Sequence, residues 1–163
     1  MNLSQLLNGN EIPSTKRITY KELTSIIQKR LLQLNEHYVW YQFTYLEELR
    51  EMYVGTLPYF IFLGRKINVE PWKVKRSLDG WVFDVDITEQ IQALYMEMNK
   101  VITSEHQQDV FQNIIEQYCN IGLTLGITPN QIQHRYKQER KNMIEPFRNE
   151  IMKHYIQRRY FGT

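Results

Sequence analysis

Apolar positions recur at intervals of three and four along most of the chain. Residues 1–17 are interrupted by Gly9, Pro13 and Ser14 and read as an irregular or short helical lead. Thr19 and Glu22 then stand at capping-box spacing, and Leu23, Ile26, Ile27, Leu31 and Leu34 follow with helical period. This predicts a helix of about 15 residues with one buried stripe. Thr44 and Glu47 repeat the capping spacing before YLEELREMY, Thr56 with Pro58 can open a further short helix, and Pro71 begins WKVKRSL. The stretch 80–87 (GWVFDVDI) breaks the rhythm and favours an extended strand or wing. Helical spacing resumes at Thr88 and Ile91 to Met98. Ser104 with Gln107 resembles another capping box before Val110, Phe111, Ile114, Ile115 and Tyr118. Thr128, Pro129 and Gln131 form the strongest helix start, and Pro146 is expected to divide the basic C-terminal helix in two. The pattern predicts a mainly all-α chain. It would be a single compact domain over 1–163, with seven or eight short helices and at most one short strand or wing.

Composition narrows the class. In 163 residues, 42% are hydrophobic and 13% aromatic, enough for one domain's core and too much for a disordered chain. The single cysteine, Cys119, excludes an internal disulfide and a thiolate zinc cluster; its apolar helical setting fits a core residue better than a nucleophile. The longest apolar run, TLPYFIFL at 56–63, is far short of the roughly 18 residues a membrane span needs, and no basic leader precedes an apolar run. No membrane association and a cytoplasmic location are therefore expected. The aromatic stretch 38–45 (YVWYQFTY) suits either a partner surface or base stacking, but burial in the core, with hydroxyls reaching outward, is the expectation.

The net charge of +2 conceals segregation. Residues 64–78 carry five cations and one anion, and residues 135–163 carry eight cations and three anions. The intervening stretch, 79–134, has eight acids and only Lys100 as a base. Clustered cations suit a polyanion, because each phosphate neutralised releases condensed counterions. They also suit ordinary solvated helix faces.

The two basic segments share a pattern 58 residues apart. Gly64, Ile67, Asn68, Val69, Pro71, Val74 and Leu78 align with Gly122, Leu125, Gly126, Ile127, Pro129, Ile132 and Tyr136. A small residue suits a close helix crossing, Asn or Gly suits a turn through positive φ, and a proline opens the next helix. Apolar residues four apart then face the core. INVEPWKVKRSL and LGITPNQIQHRYK thereby resemble the turn and recognition helix of the helix-turn-helix superfamily of DNA-binding domains, with candidate units at 58–79 and 116–141. The resemblance implies that the second helix of each unit enters a major groove of double-stranded DNA. Trp72, Lys73, Lys75 and Arg76 would be the contact set of the first unit, and Asn130, Gln131, Gln133, His134 and Arg135 that of the second. Lys137, Arg140 and Lys141, continuing along the second helix, would anchor phosphates. Two such helices on one side would let a monomer reach successive grooves about 34 Å apart, and a homodimer remains open.

Catalytic chemistry finds little support. His37, His106, His134 and His154 lie at no metal-binding spacing, and no phosphate loop or dinucleotide fingerprint occurs. Glu105, His106 and Asp109 fit the dipole and capping preferences of a helix start. Asp84 and Asp86 alternate as on a half-exposed strand, with no ligand required. The expectation is a non-enzymatic, sequence-specific DNA-binding protein, a transcriptional regulator without cofactor or metal. The rival expectation is a small helical interaction or inhibitor protein of mobile-element type, acting through its acidic middle and aromatic surface.

Overall fold

The structure is a computed structural model that describes residues 13–69 and 86–161. A 3-10 turn, Thr15–Arg17, precedes seven α-helices: α1 (Tyr20–Tyr41), α2 (Leu46–Gly55), α3 (Leu57–Ile67), α4 (Ile87–Thr103), α5 (Gln107–Thr124), α6 (Pro129–Gln138) and α7 (Arg140–Phe161). No strand occurs among the described residues, so the all-α bundle expected from the pattern is present. Its helices are not uniformly short, for α1 and α7 each have 22 residues.

α4 lies against both α1 and α5. Gln28 of α1 donates to the Tyr95 carbonyl of α4 at 3.0 Å, while Thr88 at the start of α4 donates to Asn35 at 2.8 Å, so the two helices run antiparallel. α4 and α5 form an antiparallel hairpin, closed at the turn by Gln107 donating to the Val101 carbonyl. α3 is apolar around most of its circumference, with every residue from Leu57 to Gly64 buried, and it contacts α1, α2, α5 and α7. The all-round apolar run at 56–63 is thus a central core helix. One contiguous cluster of buried side chains extends from Ile18 to Tyr155.

Several local expectations hold. Thr19 and Glu22 form the capping box of α1, Thr128 and Gln131 form that of α6, and Cys119 is buried. Others are corrected. α1 runs on to Tyr41 rather than stopping near Leu34, and ends where Gln42 takes φ 51°. Tyr45, not Thr44, is the N-cap of α2, without a side-chain bond; His106, not Ser104, caps α5. Of the predicted strand, residues 80–85 lie outside the described residues. Asp86 is the N-cap of α4 and Ile87 its first residue, so Asp86 has a capping role rather than a place in a strand pair, and Asp84 is not described.

The largest correction is in α7, which passes through Pro146 unbroken. Met143, Ile144, Phe147 and Ile151 are buried on both sides of the proline, and Phe147 meets Tyr59 and Phe62 edge-on, with centroids 5.0 and 5.4 Å away. That continuous buried stripe offsets the lost backbone bond. Asn142, whose carbonyl Pro146 leaves without its helical donor, is exposed, so water is at hand to serve it. The break falls earlier, at Glu139, and places Arg140 and Lys141 on a different helix from Lys137.

Candidate functional site

The two turns singled out in the sequence are built alike. At the end of α5, the Ile127 N–H donates to the Gly122 carbonyl at 2.7 Å and the Gly126 N–H to the Leu123 carbonyl at 3.0 Å. At the end of α3, the Val69 N–H donates to the Gly64 carbonyl at 3.0 Å and the Asn68 N–H to the Arg65 carbonyl at 3.1 Å. Gly126 has φ 80° and Asn68 φ 70°. Both are Schellman turns, which satisfy helix-end carbonyls through a residue in the left-handed region. The repeat at 58-residue spacing is therefore a repeat of structure as far as Val69. Trp72, Lys73, Lys75 and Arg76 lie outside the described residues.

In the second unit what lies closest to Gly122 is a side chain, the Tyr53 ring of α2, rather than the backbone of a crossing helix. A Cβ on Gly122 would lie 2.5 Å from the Tyr53 hydroxyl oxygen. Tyr53 of α2 stacks on Tyr118 of α5, centroids 4.5 Å apart, and each hydroxyl donates to the other's backbone carbonyl, at 2.5 and 2.9 Å. Burial pushes both phenols well above their ordinary pKa, so they stay protonated donors. Ile132 and Tyr136 of α6 are fully buried, which fixes the helix's rotation. Asn130, Gln131, His134 and Lys137 then face solvent, while Gln133 and Arg135 are half-buried.

α2 clamps the turn. Arg50 Nε donates to the Leu125 carbonyl at 2.8 Å, and its guanidinium occupies the space a Cβ on Gly126 would enter. Glu47 pairs with Arg50 at 2.7 Å and with Arg135 at 2.8 Å. Hydrogen bonds from those two arginines hold the Glu47 carboxyl below its usual pKa. Arg135 is thus tied to α2 rather than presented with the exposed set. Gln131 is partly committed as well, since its side-chain oxygen accepts from the Thr128 N–H at 2.9 Å, leaving its amide NH2 outward. Lys141 is exposed and Arg140 half-buried, both in the first turn of α7. Sequence reasoning missed the clamp; its one local signal is the three-residue spacing of Glu47 and Arg50.

The aromatic stretch contradicts its expected burial. Only Tyr38 is in the core; Trp40 is 75% exposed, and Val39, Tyr41, Phe43 and Tyr45 are exposed too. The rings lean on one another, Tyr41 on His37 at 5.0 Å and Tyr45 on Tyr41 at 5.1 Å, forming a ridge at the α1–α2 corner. A cleft of about 350 Å³ lies between α1, α2 and α7. Its ionisable groups include Arg30, Glu51 and Glu139, and Arg30 is bonded to Glu150, which also accepts from the Tyr59 hydroxyl.

Among the described residues no helix is long and apolar enough to cross a membrane, and no cluster of three or more His, Cys, Asp or Glu side chains could hold a metal ion. No protein family, curated protein or solved structure matches the chain.

Proposed function

We propose that this protein binds double-stranded DNA through α6 and the first turn of α7, as a sequence-specific regulator of helix-turn-helix type. The observation that carries the reading is the α5–α6 corner. A Schellman turn and a capped α6 with Ile132 and Tyr136 inward leave Asn130, Gln131, His134 and Lys137 on the outer face. The Asn130 amide offers a donor and acceptor pair complementary to the one adenine presents in the major groove, Gln131 offers its outward NH2, and Lys137 and Lys141 supply phosphate anchors. Arg135 is reassigned from base contact to holding α6 against Glu47.

Fluorescence anisotropy with random-sequence duplex at two salt concentrations tests this, followed by selection from a random pool. Lys137→Ala and Lys141→Ala should each lower affinity and reduce the log–log salt slope by about 0.9. Asn130→Ala should leave that slope alone and relax base preference. Absence of binding at low salt overturns the proposal.

A second reading rests on the exposed aromatic ridge. Trp and Tyr side chains left in water at a helix corner are typical anchors of a protein interface. If DNA binding fails, a partner whose capture is lost in Trp40→Ala and kept in Lys137→Ala would establish that reading.

A further inference from the structure

Along α1, Gln33, Glu36, His37 and Trp40 recur at intervals of three and four and share one face; on α2, Glu48, Glu51 and Met52 do the same. Those faces meet in two clefts that have Gln33 and Met52 in common and so form one trough. The first cleft, about 530 Å³, carries Glu36, His37, Trp40 and Tyr41. The second, about 350 Å³, reaches α7 and carries Glu51 and Glu139 over an apolar floor that includes Leu34, Met143 and Phe147. Trp40 and Tyr41 are exposed, and the Tyr41 ring is held between His37 and Tyr45.

The charge of the trough is one-sided. Glu36, Glu51 and Glu139 come from α1, α2 and the α6–α7 junction, and among the described residues none of the three side chains makes a hydrogen bond or ion pair. Arg30 is the one lysine or arginine lining either cleft among the described residues, and Glu150 accepts two hydrogen bonds from it. The α2 and α6 arginines, Arg50 and Arg135, are bound to Glu47 instead. Glu48 faces His37 at 3.5 Å.

An arginine or lysine side chain suits both halves of this surface. Its charge meets a carboxylate, and its cationic head is drawn to the face of a Trp or Tyr ring. Acids on three separate elements call for several such side chains on one chain rather than a single small cation. The same acids repel phosphates, which favours protein over nucleic acid here. We infer that the trough seats a segment of a partner protein carrying arginine or lysine side chains among apolar ones. Trp40 and Tyr41 stack on one cation, and Glu36, Glu51 and Glu139 pair with others. Such binding presupposes that the aromatic ridge is a protein contact surface, and it is independent of DNA binding at α6.

Selection of random peptides on the immobilised full chain at about 0.15 M salt, followed by fluorescence anisotropy with the enriched peptides, tests this. Enriched sequences should combine arginine or lysine with apolar residues and bind saturably. Trp40→Ala should weaken that binding about tenfold or more, and Glu36→Gln and Glu51→Gln about threefold each. Lys137→Ala on α6 and Glu105→Gln at the α4–α5 turn should leave it unchanged; all five positions are exposed, so the variants have little bearing on folding. No enrichment, enriched peptides without cations, or equal weakening by Glu105→Gln overturns the site. Binding unaffected by Trp40→Ala removes the ridge as a contact surface. Weakening by Trp40→Ala with full affinity in Glu36→Gln and Glu51→Gln would keep the ridge and overturn the basic partner. A dimer in sedimentation equilibrium that Trp40→Ala dissociates would give the ridge to a second copy of this chain and overturn it as well.

Discussion

Tyr53 and Tyr118 on one side, and the ridge from Val39 to Tyr45 on the other, use the same residue types to opposite ends. The tyrosine pair has essentially no solvent exposure, and each hydroxyl finds a backbone carbonyl of the other's helix. The ridge keeps its rings largely in water, with Tyr41 against His37 and Tyr45 and Phe43 against Tyr38. Burying an aromatic that carries a hydroxyl needs an acceptor inside the core. α2 and α5 supply one, and Gly122, having no side chain, leaves room for the Tyr53 ring to stack on Tyr118. At the α1–α2 corner, Trp40 and Tyr41 at the end of α1 line an open cleft with Met52 and stay exposed. Aromatic content alone therefore does not separate core from exposed surface. The presence of a facing helix does.

Replacing Tyr53 by Ala should test the buried member most severely. It deletes a stacked ring and leaves the Tyr118 carbonyl without its donor, with an expected loss of about 3–5 kcal/mol in denaturant unfolding. A loss below 1 kcal/mol would show that α2 is not held by this pair. Gly122→Ala sharpens the same comparison from the other helix. The added methyl meets Tyr53 Oη at 2.5 Å and its Cε1 and Cζ at 3.0 Å. Overpacking of about 1–3 kcal/mol opposes a gain of about 1 kcal/mol in helix propensity. A net loss of up to about 2 kcal/mol is expected, and a stabilised variant would mean that Tyr53 yields freely.

Cys119 reports on the same core through pH. Burial pushes its thiol up to about 12, so it stays neutral where the unfolded chain's thiol, at about 9, ionises. Its contribution to stability is complete below pH 9 and falls as pH rises toward 12, by about 1.4 kcal/mol per unit in that window. Tyr53 and Tyr118, both raised, act in the same direction at higher pH. At pH 8 the native protein should resist thiol-specific alkylation, and the rate should rise with denaturant. Rapid native labelling would place Cys119 at the surface.

Much of the α5–α6 corner was legible because its signals are local. Gly126 and Asn68 announce positive φ, Thr128 with Gln131 announces a cap, and Ile132 with Tyr136 announces the inward face; each appears in the structure at the same residue. The engagement of Arg135 was not legible, because Glu47 lies 88 residues away and only the packing of α2 on α6 brings them together. The continuity of α7 through Pro146 was hidden for a related reason. Local propensity argues for a break there, and the buried stripe that overrides it is a tertiary fact. The convergence of Lys16 and Arg17 with Lys66 was hidden from the charge count, since the first two stand outside both basic segments and meet Lys66 only in the fold.

The exposed ridge offers the smallest effect and the cleanest contrast. Trp40 is among the largest side chains in the chain, and if size alone set the cost, Trp40→Ala would rank with Tyr53→Ala. At 75% exposure the indole gains little further hydration on unfolding, and the substitution leaves no cavity. Ala also favours the helix slightly more than Trp near the α1 terminus. The unfolding free energy should therefore change by no more than about 0.5 kcal/mol in either direction. Calorimetric and denaturant unfolding of the two variants side by side would settle the comparison. A loss of 2 kcal/mol or more from Trp40→Ala would mean that the indole is covered in solution, and the ridge would belong to the fold rather than to a partner.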